Sequence, residues 1–220
     1  MPVLIAGLGN PGKRYAHTRH NVGWMLVERL ATRMGFAFAE SPWKGLVARG
    51  VYRGMETVLL KPATYMNLSG DSVAACALAN GIGIRDVLAV SDEVQFPLGR
   101  IKLSTGGSDG GHNGLASLIE RLGDGGFRRL RIGVNMAGKG QLKDYVLSEF
   151  GPDESALLDE TLAFAGDAVL DWAGQGATDQ AFTAVMGRYN DKSRQPCAKL
   201  EQPAPAQDTE ATNNEEPFQE

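Results

Sequence analysis

The start of the chain narrows the choice of folds more than any other part of the sequence. Residues 3–6 (Val-Leu-Ile-Ala) form a short apolar run of the kind found in buried strands. Gly-Leu-Gly-Asn-Pro-Gly at residues 7–12 cannot continue a strand or begin a regular helix. Apolar residues at helical spacing resume at Val22 and predict a helix over residues 21–34. His20 therefore lies at the junction of a loop and a helix, where side chains and free backbone N–H groups point outward.

The rest of the sequence continues this alternation of strands and helices. Strands are predicted at residues 45–51 and 56–61, which form a hairpin, and at residues 87–90, 100–103 and 127–134. Helices are predicted at residues 71–80, 115–122, 152–172 and 179–189. The pattern predicts an α/β fold, a single three-layer α/β/α domain around a mixed twisted sheet. We place this domain at residues 1–190 and predict that residues 191–220, which lack an apolar period, are a disordered acidic tail.

Composition excludes several classes of protein. No apolar run in the 220 residues approaches the roughly 20 residues of a membrane span, so we expect no membrane association. The first residues lack the basic flank and cleavage site of a signal peptide. Two cysteines, Cys76 and Cys197, make no disulfide framework. A reduced, cytoplasmic protein is the expectation.

Charge is distributed unevenly along the chain. Residues 1–143 carry 18 Lys and Arg against 10 Asp and Glu, a net charge of +8. Residues 144–190 carry a net charge of −8, and residues 191–220 carry −4. This asymmetry is typical of a protein with a basic face for a polyanion. It is equally compatible with a fold in which the blocks neutralise one another.

Three polar residues, Asn10, Asn67 and Asp92, come just after predicted strands. In open α/β sheets ligands bind at the carboxyl ends of the strands, so we expect these side chains at one end of the sheet, near His20. A histidine held by a carboxylate is a general base at neutral pH. No serine lies in a Gly-x-Ser-x-Gly turn and neither cysteine lies in a glycine-rich turn, so the nucleophile would be water.

Two glycine-rich segments are each compatible with more than one role. Residues 7–12 match the dinucleotide fingerprint Gly-x-Gly-x-x-Gly, but no helix is predicted to start within it, and a strand-end turn is the favoured interpretation. Residues 106–114, with five glycines, are typical of an anion-binding loop or of a flexible surface loop. The three histidines lack the spacing of a zinc site, so we expect no metal.

Six short segments of the sequence form a recognisable series. In chain order they are Gly-Leu-Gly-Asn-Pro-Gly (7–12), Tyr-Ala-His-Thr-Arg-His-Asn-Val-Gly (15–23), Lys-Pro-Ala-Thr-Tyr-Met-Asn-Leu-Ser-Gly (61–70), Asp-Glu (92–93), Gly-Gly-His-Asn-Gly (110–114) and Phe-Arg-Arg-Leu-Arg-Ile-Gly (127–133). Together they resemble the bacterial-type peptidyl-tRNA hydrolase family. The resemblance covers roughly residues 3–190. It implies a monomeric α/β/α hydrolase, without a cofactor, that cleaves the ester between a peptide and the 3′-terminal ribose of tRNA.

The resemblance also implies roles for individual residues. His20 matches the family's catalytic histidine, the general base that activates water, and Asp92 matches the aspartate that orients it. Asn10 matches a further residue at the catalytic site. The expected substrate-binding residues are Tyr15, Met66, Asn67, His112 and Asn113. The asparagine amides would pair with the N–H and C=O groups of the peptide. A free α-ammonium group would leave these amides unpaired, which would explain why ordinary aminoacyl-tRNA is spared.

The resemblance implies that tRNA is contacted mainly at phosphates, because an enzyme that serves many tRNAs should not read one base sequence. Arg131 matches a family arginine implicated in phosphate binding. Ser104 stands where many relatives carry the lysine that partners this arginine, and Lys102 is our candidate to replace it. Residues 106–114 resemble the gate over the site, and residues 135–143 resemble its lid.

Two further departures from the family pattern lie beside Asp92. Ser91 stands where a histidine is usual, and Gln95 stands where a second acidic residue is common. Together with Ser104 they bear on tRNA affinity more than on the chemistry. Three alternatives follow: an RNA-binding relative that has lost hydrolysis, for which a plant organellar splicing factor is the precedent; a nucleotide-dependent oxidoreductase, which depends only on residues 7–12; and an adaptor protein.

Overall fold

A seven-stranded mixed sheet forms the middle layer of the molecule, in the strand order β2-β3-β4-β1-β5-β7-β6. The structure is a computed structural model that describes residues 1–135 and 142–199. The strands are β1 (Val3–Gly7), β2 (Ala39–Ser41), β3 (Gly45–Tyr52), β4 (Met55–Pro62), β5 (Val87–Glu93), β6 (Ile101–Thr105) and β7 (Arg128–Gly133). The predicted three-layer α/β/α fold is confirmed.

Four neighbouring strands, β4, β1, β5 and β7, run parallel. Their carboxyl ends therefore meet at one side of the molecule, which we call the carboxyl end of the sheet. The hairpin predicted around Arg53-Gly54 joins β3 to β4, and β2 extends it as a short strand that the sequence analysis did not predict. At the other edge β6 pairs antiparallel with β7.

Helices cover both faces of the sheet. The helices are α1 (Val22–Met34), α2 (Ser69–Ala79), α3 (Asn113–Leu122), α4 (Leu142–Val146), α5 (Ser155–Gly174) and α6 (Asp179–Tyr189). One apolar core contains residues of α1, α5 and α6, and the other contains residues of α2 and α3. Burial of these apolar stripes is the main source of stability for such a fold. No helix in the described residues is long and apolar enough to cross a membrane.

Short 3-10 helices connect these elements. They are Lys13–Tyr15, Arg19–Asn21, Met66–Leu68, Ile84–Asp86, Pro152–Glu154, Lys192–Arg194 and Pro196–Lys199. Most element boundaries differ from the prediction by a few residues, and two of the differences are the start of α2 and the end of β5. Helix α2 begins at Ser69 rather than residue 71, so this serine lies inside the helix and does not cap it with its side chain. Strand β5 extends to Glu93, so Asp92 lies within the strand because its backbone continues to pair with β7.

The first turn of α1 lies directly against the ends of two strands. A Cβ atom on Gly23 would lie 2.5 Å from the carbonyl oxygen of Val90 and 2.7 Å from the backbone nitrogen and oxygen of Leu8. A Cβ atom on Gly7 would overlap the carbonyl oxygen of Gly23. These two glycines permit the close approach that brings the residues just before α1 to the carboxyl end of the sheet.

The acidic block at residues 144–190 is partly neutralised by the basic block that precedes it. Ion pairs between the two blocks include Arg19–Glu154, Arg29–Asp159, Arg33–Asp167, Arg128–Asp179 and Arg85–Asp179. This supports the interpretation that the charge blocks pair with one another. Lys102 lies outside this network: it is exposed and forms no ion pair within the described part of the chain.

The ordered chain extends beyond the predicted domain boundary at residue 190. Residues 191–199, which were assigned to the disordered tail, contain two 3-10 helices, and Gln195 within them is 2% exposed. This segment is ordered because the Gln195 side chain hydrogen-bonds to the backbone of Ile101 in β6. The remainder of the predicted tail, residues 200–220, lies outside the described residues.

The close approach at Gly23 predicts a large effect of one methyl group. Gly23→Ala should lower the free energy of unfolding in urea by about 1–3 kcal/mol, because the added Cβ overlaps backbone atoms that cannot move aside. Gly187→Ala is the matched control, since Gly187 lies in α6 with open space around it, and it should stabilise by about 0.5–1 kcal/mol. Equal stability of Gly23→Ala and the wild type would contradict this account of the packing.

Candidate active site

Two histidines converge on one buried carboxylate at the carboxyl end of the sheet. His20 Nδ1 lies 2.7 Å from Asp92 Oδ1, and His112 Nε2 lies 2.9 Å from the same oxygen. The ring centroids are 5.0 Å apart. The side chain of Asp92 is 3% exposed, whereas those of His20 and His112 are 12% and 10% exposed. The carboxylate is thus buried, and the two imidazoles that cover it are slightly exposed to solvent.

Three different elements deliver these side chains. His20 belongs to the 3-10 helix that leads into α1, Asp92 is the second-last residue of β5, and His112 is the N-cap residue of α3. The sequence analysis paired His20 with Asp92 and assigned His112 to substrate binding. The direct contact of His112 with Asp92 was not predicted.

Backbone hydrogen bonds determine the tautomer of His112. Its Nδ1 accepts hydrogen bonds from the N–H groups of Gly114 (3.1 Å) and Leu115 (3.2 Å) and therefore carries no proton. The proton of the neutral ring is on Nε2, which donates to Asp92. His20 likewise donates through Nδ1 to this carboxylate, so its Nε2 bears the free lone pair. This is the arrangement that a general base requires.

The pKa of Asp92 reflects two opposing influences. Burial raises the pKa of the Asp92 carboxyl, but the hydrogen bonds that both histidine rings donate to it outweigh this effect. The pKa is held well below its ordinary value. Asp92 is therefore ionised at neutral pH and can stabilise a positive charge on His20.

Asn10 is fixed by a reciprocal pair of hydrogen bonds with Asn21. The N–H of Asn10 donates to Asn21 Oδ1 (2.8 Å), and Asn21 Nδ2 donates to the carbonyl of Asn10 (3.0 Å). The side-chain oxygen of Asn10 accepts from the N–H of Met66 (2.8 Å). This leaves the amide Nδ2 of Asn10 as the donor available to a substrate. Met66 itself is buried.

Arg19 anchors the turn that carries His20. Its guanidinium group makes two hydrogen bonds to Glu154 (2.8 and 2.6 Å) and one to the carbonyl of Val134 (3.1 Å). It also lies 4.7 Å from the ring centroids of both Tyr145 and Phe150. A buried, bidentate and stacked arginine is a rigid support, and it ties the His20 turn to the start of α5.

The other predicted substrate-binding residues lie in loops around this centre. Tyr15 is half-buried, its ring lies 4.5 Å from the guanidinium of Arg14, and its carbonyl accepts the hydroxyl of Thr18 (2.9 Å). Asn67 and Asn113 are exposed, and within the described chain their side chains make no hydrogen bond. Their amides therefore remain available to a ligand.

Arg131 and Lys102 face the same side of the sheet, because they are directly opposite each other in the β6–β7 ladder. Ser104 is opposite Arg129 instead. Arg131 is 26% exposed and donates to Glu93 Oε2 at 2.8 Å. This geometry supports Lys102 as the candidate partner of Arg131.

Comparison with known proteins identifies the family. The sequence profile of the family described as peptidyl-tRNA hydrolase matches residues 4–196. The chain is 45% identical over 189 residues to the peptidyl-tRNA hydrolase of Chloroflexus aggregans, covering 85% of this chain and 98% of that relative. It is 42% identical over 195 residues to that of Geobacter metallireducens, covering 89% and 98%. The chain belongs to the peptidyl-tRNA hydrolase family.

Solved structures agree with this assignment. The crystal structure of peptidyl-tRNA hydrolase from Acinetobacter baumannii matches with a TM-score of 0.77 and 37% identity, covering 84% of this chain and 94% of that chain. The members of this family are hydrolases that act on the ester bond of peptidyl-tRNA. The oxidoreductase and adaptor alternatives are therefore excluded. The resemblance inferred from the sequence is confirmed.

Ser91 and Gln95, which depart from the family pattern, lie near the end of β5. Ser91 is buried on β5, opposite Arg131, and its hydroxyl has no hydrogen-bond partner among the described residues. Gln95 is exposed beyond the end of β5. None of these residues contacts the His20–Asp92 pair through a described hydrogen bond.

The segment that resembles the family's gate is attached to the sheet at one end. Arg129 donates to the carbonyl groups of Gly107 and Ser108, and His112 attaches the other end to α3. Gly106, Gly107, Gly110 and Gly111 all have positive φ, a conformation that side chains other than glycine rarely adopt. Most of the predicted lid at residues 135–143 lies outside the described residues, since residues 136–141 are not among them.

The site also contains ligand types that suit a metal ion. One nitrogen each of His20 and His112 and an oxygen of Asp92 lie within 4.8 Å of one another. These same atoms are engaged in hydrogen bonds to each other, so an ion would have to replace both bonds. Residues 7–12 form no dinucleotide site, because α1 begins only at Val22 and the Trp24 ring packs against Gly9.

Sequence reasoning missed three supporting residues. Asn21 orients Asn10, Arg19 anchors the His20 turn, and Glu93 pairs with Arg131. Arg19 and Asn21 flank His20 in a segment that was already singled out. Their burial, at 7% and 0% exposure, is unusual for polar residues and could not be deduced without the fold.

The low pKa of Asp92 predicts how stability depends on pH. The pKa is lower in the folded than in the unfolded chain, where it is about 3.9, so Asp92 contributes stability above that pH and loses it as the pH falls further. Asp92→Asn should therefore be less stable than the wild type in urea at pH 7. The difference should shrink below about pH 4. A difference that stays constant between pH 7 and about pH 2.5 would contradict the assignment.

Proposed function

We propose that His20, oriented by Asp92, hydrolyses the ester bond between an N-blocked amino acid or peptide and the 3′-terminal ribose of tRNA. The observation that carries this proposal is the hydrogen bond from His20 Nδ1 to a buried, ionised carboxylate. It leaves His20 Nε2 as a base at the carboxyl end of the sheet. Release of the blocked amino acid would recycle the tRNA.

The reaction has two proton transfers. His20 Nε2 removes a proton from water while the water oxygen bonds to the ester carbonyl carbon, giving a tetrahedral oxyanion and an imidazolium. When the intermediate collapses, the bond to the ribose oxygen breaks, and the imidazolium donates its proton to that oxygen. The products are the N-blocked acid and tRNA with a free hydroxyl group. Asp92 stabilises the imidazolium between these steps.

His112 acts on the reaction through Asp92. Its N–H occupies the carboxylate oxygen that also holds His20, and its other nitrogen is fixed by the start of α3. This second hydrogen bond keeps the buried carboxylate ionised and in a single orientation. His112 is thus a positioning residue in addition to its expected place near the substrate.

Asparagine amides suit the recognition of the substrate. The free Nδ2 of Asn10 can donate to the oxyanion or to a peptide carbonyl, and the exposed amides of Asn67 and Asn113 can pair with peptide N–H and C=O groups. Tyr15 and Met66 would provide apolar contacts. A free α-ammonium group would leave these amides mispaired, which accounts for discrimination against unblocked aminoacyl-tRNA.

Arg131 and Lys102 are proposed to contact tRNA phosphates. They share one face of the sheet, and Lys102 is exposed and free of ion pairs within the described chain. We further propose that the protein is a cytoplasmic monomer that needs no cofactor. Cys76 and Cys197 are buried as thiols rather than joined in a disulfide, which is compatible with a reducing compartment.

Replacing the base tests the mechanism. His20→Ala should reduce release of N-acetyl amino acid from N-acetyl-aminoacyl-tRNA at least about 100-fold, because no other described group occupies its position. Binding of tRNA should change little. His17→Ala is the matched control, since His17 is exposed three residues earlier in the chain, and it should retain activity. The assay is run with EDTA present.

Retained hydrolysis in His20→Ala would refute the mechanism, and loss of wild-type hydrolysis in EDTA would point to a metal at the His20–Asp92–His112 cluster. Tight tRNA binding without hydrolysis by the wild type would favour the RNA-binding alternative.

Removing Lys102 tests the phosphate surface. Lys102→Ala should weaken tRNA binding and reduce the slope of log K against log salt by about 1, since one phosphate contact is lost. Arg131→Ala should weaken binding more, because it also leaves the carboxylate of Glu93 unneutralised. Arg49→Ala is the control, because Arg49 is exposed on β3, in the half of the sheet away from β6. An unchanged slope in Lys102→Ala contradicts the assignment.

A further inference from the structure

Two side-chain amides cover the outer edge of β6, where another strand would otherwise pair. Asn190 accepts from the N–H of Leu103 (2.7 Å) and donates to its carbonyl (2.9 Å). Gln195 accepts from the N–H of Ile101 (3.0 Å) and donates to its carbonyl (2.9 Å). These carboxamides replace the peptide groups of a neighbouring strand. The chain after α6 is therefore held along β6.

This segment runs towards the carboxyl end of the sheet. Its contacts proceed from Leu103 to Ile101, and the N–H of Cys197 then bonds to the carbonyl of Gly99 (3.3 Å), just before β6 begins. The segment thus runs antiparallel to β6. Its end lies beside the first residue of that strand.

The start of β6 is close to the candidate active site. Ile101 is opposite Ile132, which is in turn opposite Asp92, so two strand spacings, about 10 Å, separate β6 from the strand that carries the buried carboxylate. The described chain therefore ends beside the site and not on the far side of the molecule.

The sequence that follows is strongly acidic. Residues 200–220 contain six carboxylates and no Lys or Arg; the six are Glu201, Asp208, Glu210, Glu215, Glu216 and Glu220. The family profile ends at residue 196, and the match to Chloroflexus aggregans covers 98% of that relative but only 85% of this chain. This acidic extension is an addition to the length shared with that relative.

Basic groups lie within reach of this extension. Arg100, Lys102 and Arg131 lie at or near the start of β6, and Glu93 is the acidic group paired with Arg131. From Cys197, the four residues to Glu201 span up to about 14 Å, whereas Gly99 and Lys102 are about 10 Å apart along the strand. Even the first carboxylate of the extension can approach Lys102.

We infer that residues 200–220 are an intramolecular competitor of tRNA for the basic surface formed by Arg100, Lys102 and Arg131. The inference rests on the proposed phosphate contacts. A short tether gives the acidic segment an effective concentration in the millimolar range. With a local dissociation constant of about 0.1–1 mM, it weakens tRNA binding about two- to tenfold. A substrate with many phosphates displaces the segment, whereas weaker anions do not.

Neutralising the extension in the full-length chain tests this inference. The variant replaces all six carboxylates by their amides (Glu201→Gln, Asp208→Asn, Glu210→Gln, Glu215→Gln, Glu216→Gln and Glu220→Gln). Its dissociation constant for deacylated tRNA, measured by fluorescence anisotropy, should be about two- to tenfold lower than that of the wild type at low salt. The difference should disappear at high salt, where charges are screened.

A matched pair of variants separates the extension from net charge. Glu215→Gln/Glu216→Gln removes two charges from the extension. Glu40→Gln/Glu56→Gln removes two exposed charges from β2 and β4, in the half of the sheet away from β6. Only the first pair should tighten binding measurably. Equal effects of the two pairs, or no effect of the six-residue variant, would overturn the inference.

Lys102→Ala is made both in the wild type and in the variant with six neutralised carboxylates. This comparison separates the inference from the proposed function. If the extension competes at this surface, neutralising it should have a smaller effect once Lys102 is absent. An undiminished effect places the extension elsewhere and overturns the inference. If Lys102→Ala does not weaken binding even with a neutral extension, the phosphate contact itself is wrong. Deacylated tRNA makes the result independent of the hydrolysis mechanism.

Discussion

The buried carboxylate of Asp92 is the constraint on which the rest of the site depends. A charge with 3% exposure is stable only when it is compensated, and here two imidazole N–H groups donate to one oxygen. The same bonds fix the tautomer of His20. The contacts that stabilise the buried charge are therefore the ones that prepare His20 for its proposed role as the base. His112 meets it without a net charge of its own, because its other nitrogen caps α3.

Satisfying Asp92 requires three chain segments to meet within a few ångströms. Parallel pairing of β1 with β5 brings the ends of these strands together, and Gly23 lets α1 approach them closely. Arg19 then holds the preceding turn against α5, while Asn21 fixes Asn10 beside it. These packing contacts and hydrogen bonds are made by residues that are not themselves proposed to react. Together they reduce the freedom of His20 and Asn10 before substrate arrives.

Within the described residues, some basic side chains are neutralised by ion pairs, whereas Lys102 is not. Ion pairs between α1 and α5, such as Arg29–Asp159, offset part of the charge asymmetry seen in the sequence. Lys102 remains outside them near the carboxyl end of the sheet. The chain after α6 is led to the same place by Gln195. The proposed phosphate contacts and the inferred competition by the acidic extension together predict that affinity for tRNA depends on salt.

Periodicity and turn residues in the sequence were enough to predict the α/β/α fold, the hairpin and the proximity of His20 to Asp92, because these depend on local patterns and on the shared direction of parallel strands. The contact of His112 with Asp92, the burial of Asn21 and the ordering of residues 191–199 were decided only by the tertiary structure. Each of these depends on a partner remote in sequence, and a side chain's own neighbours do not reveal which distant donor or acceptor will satisfy it.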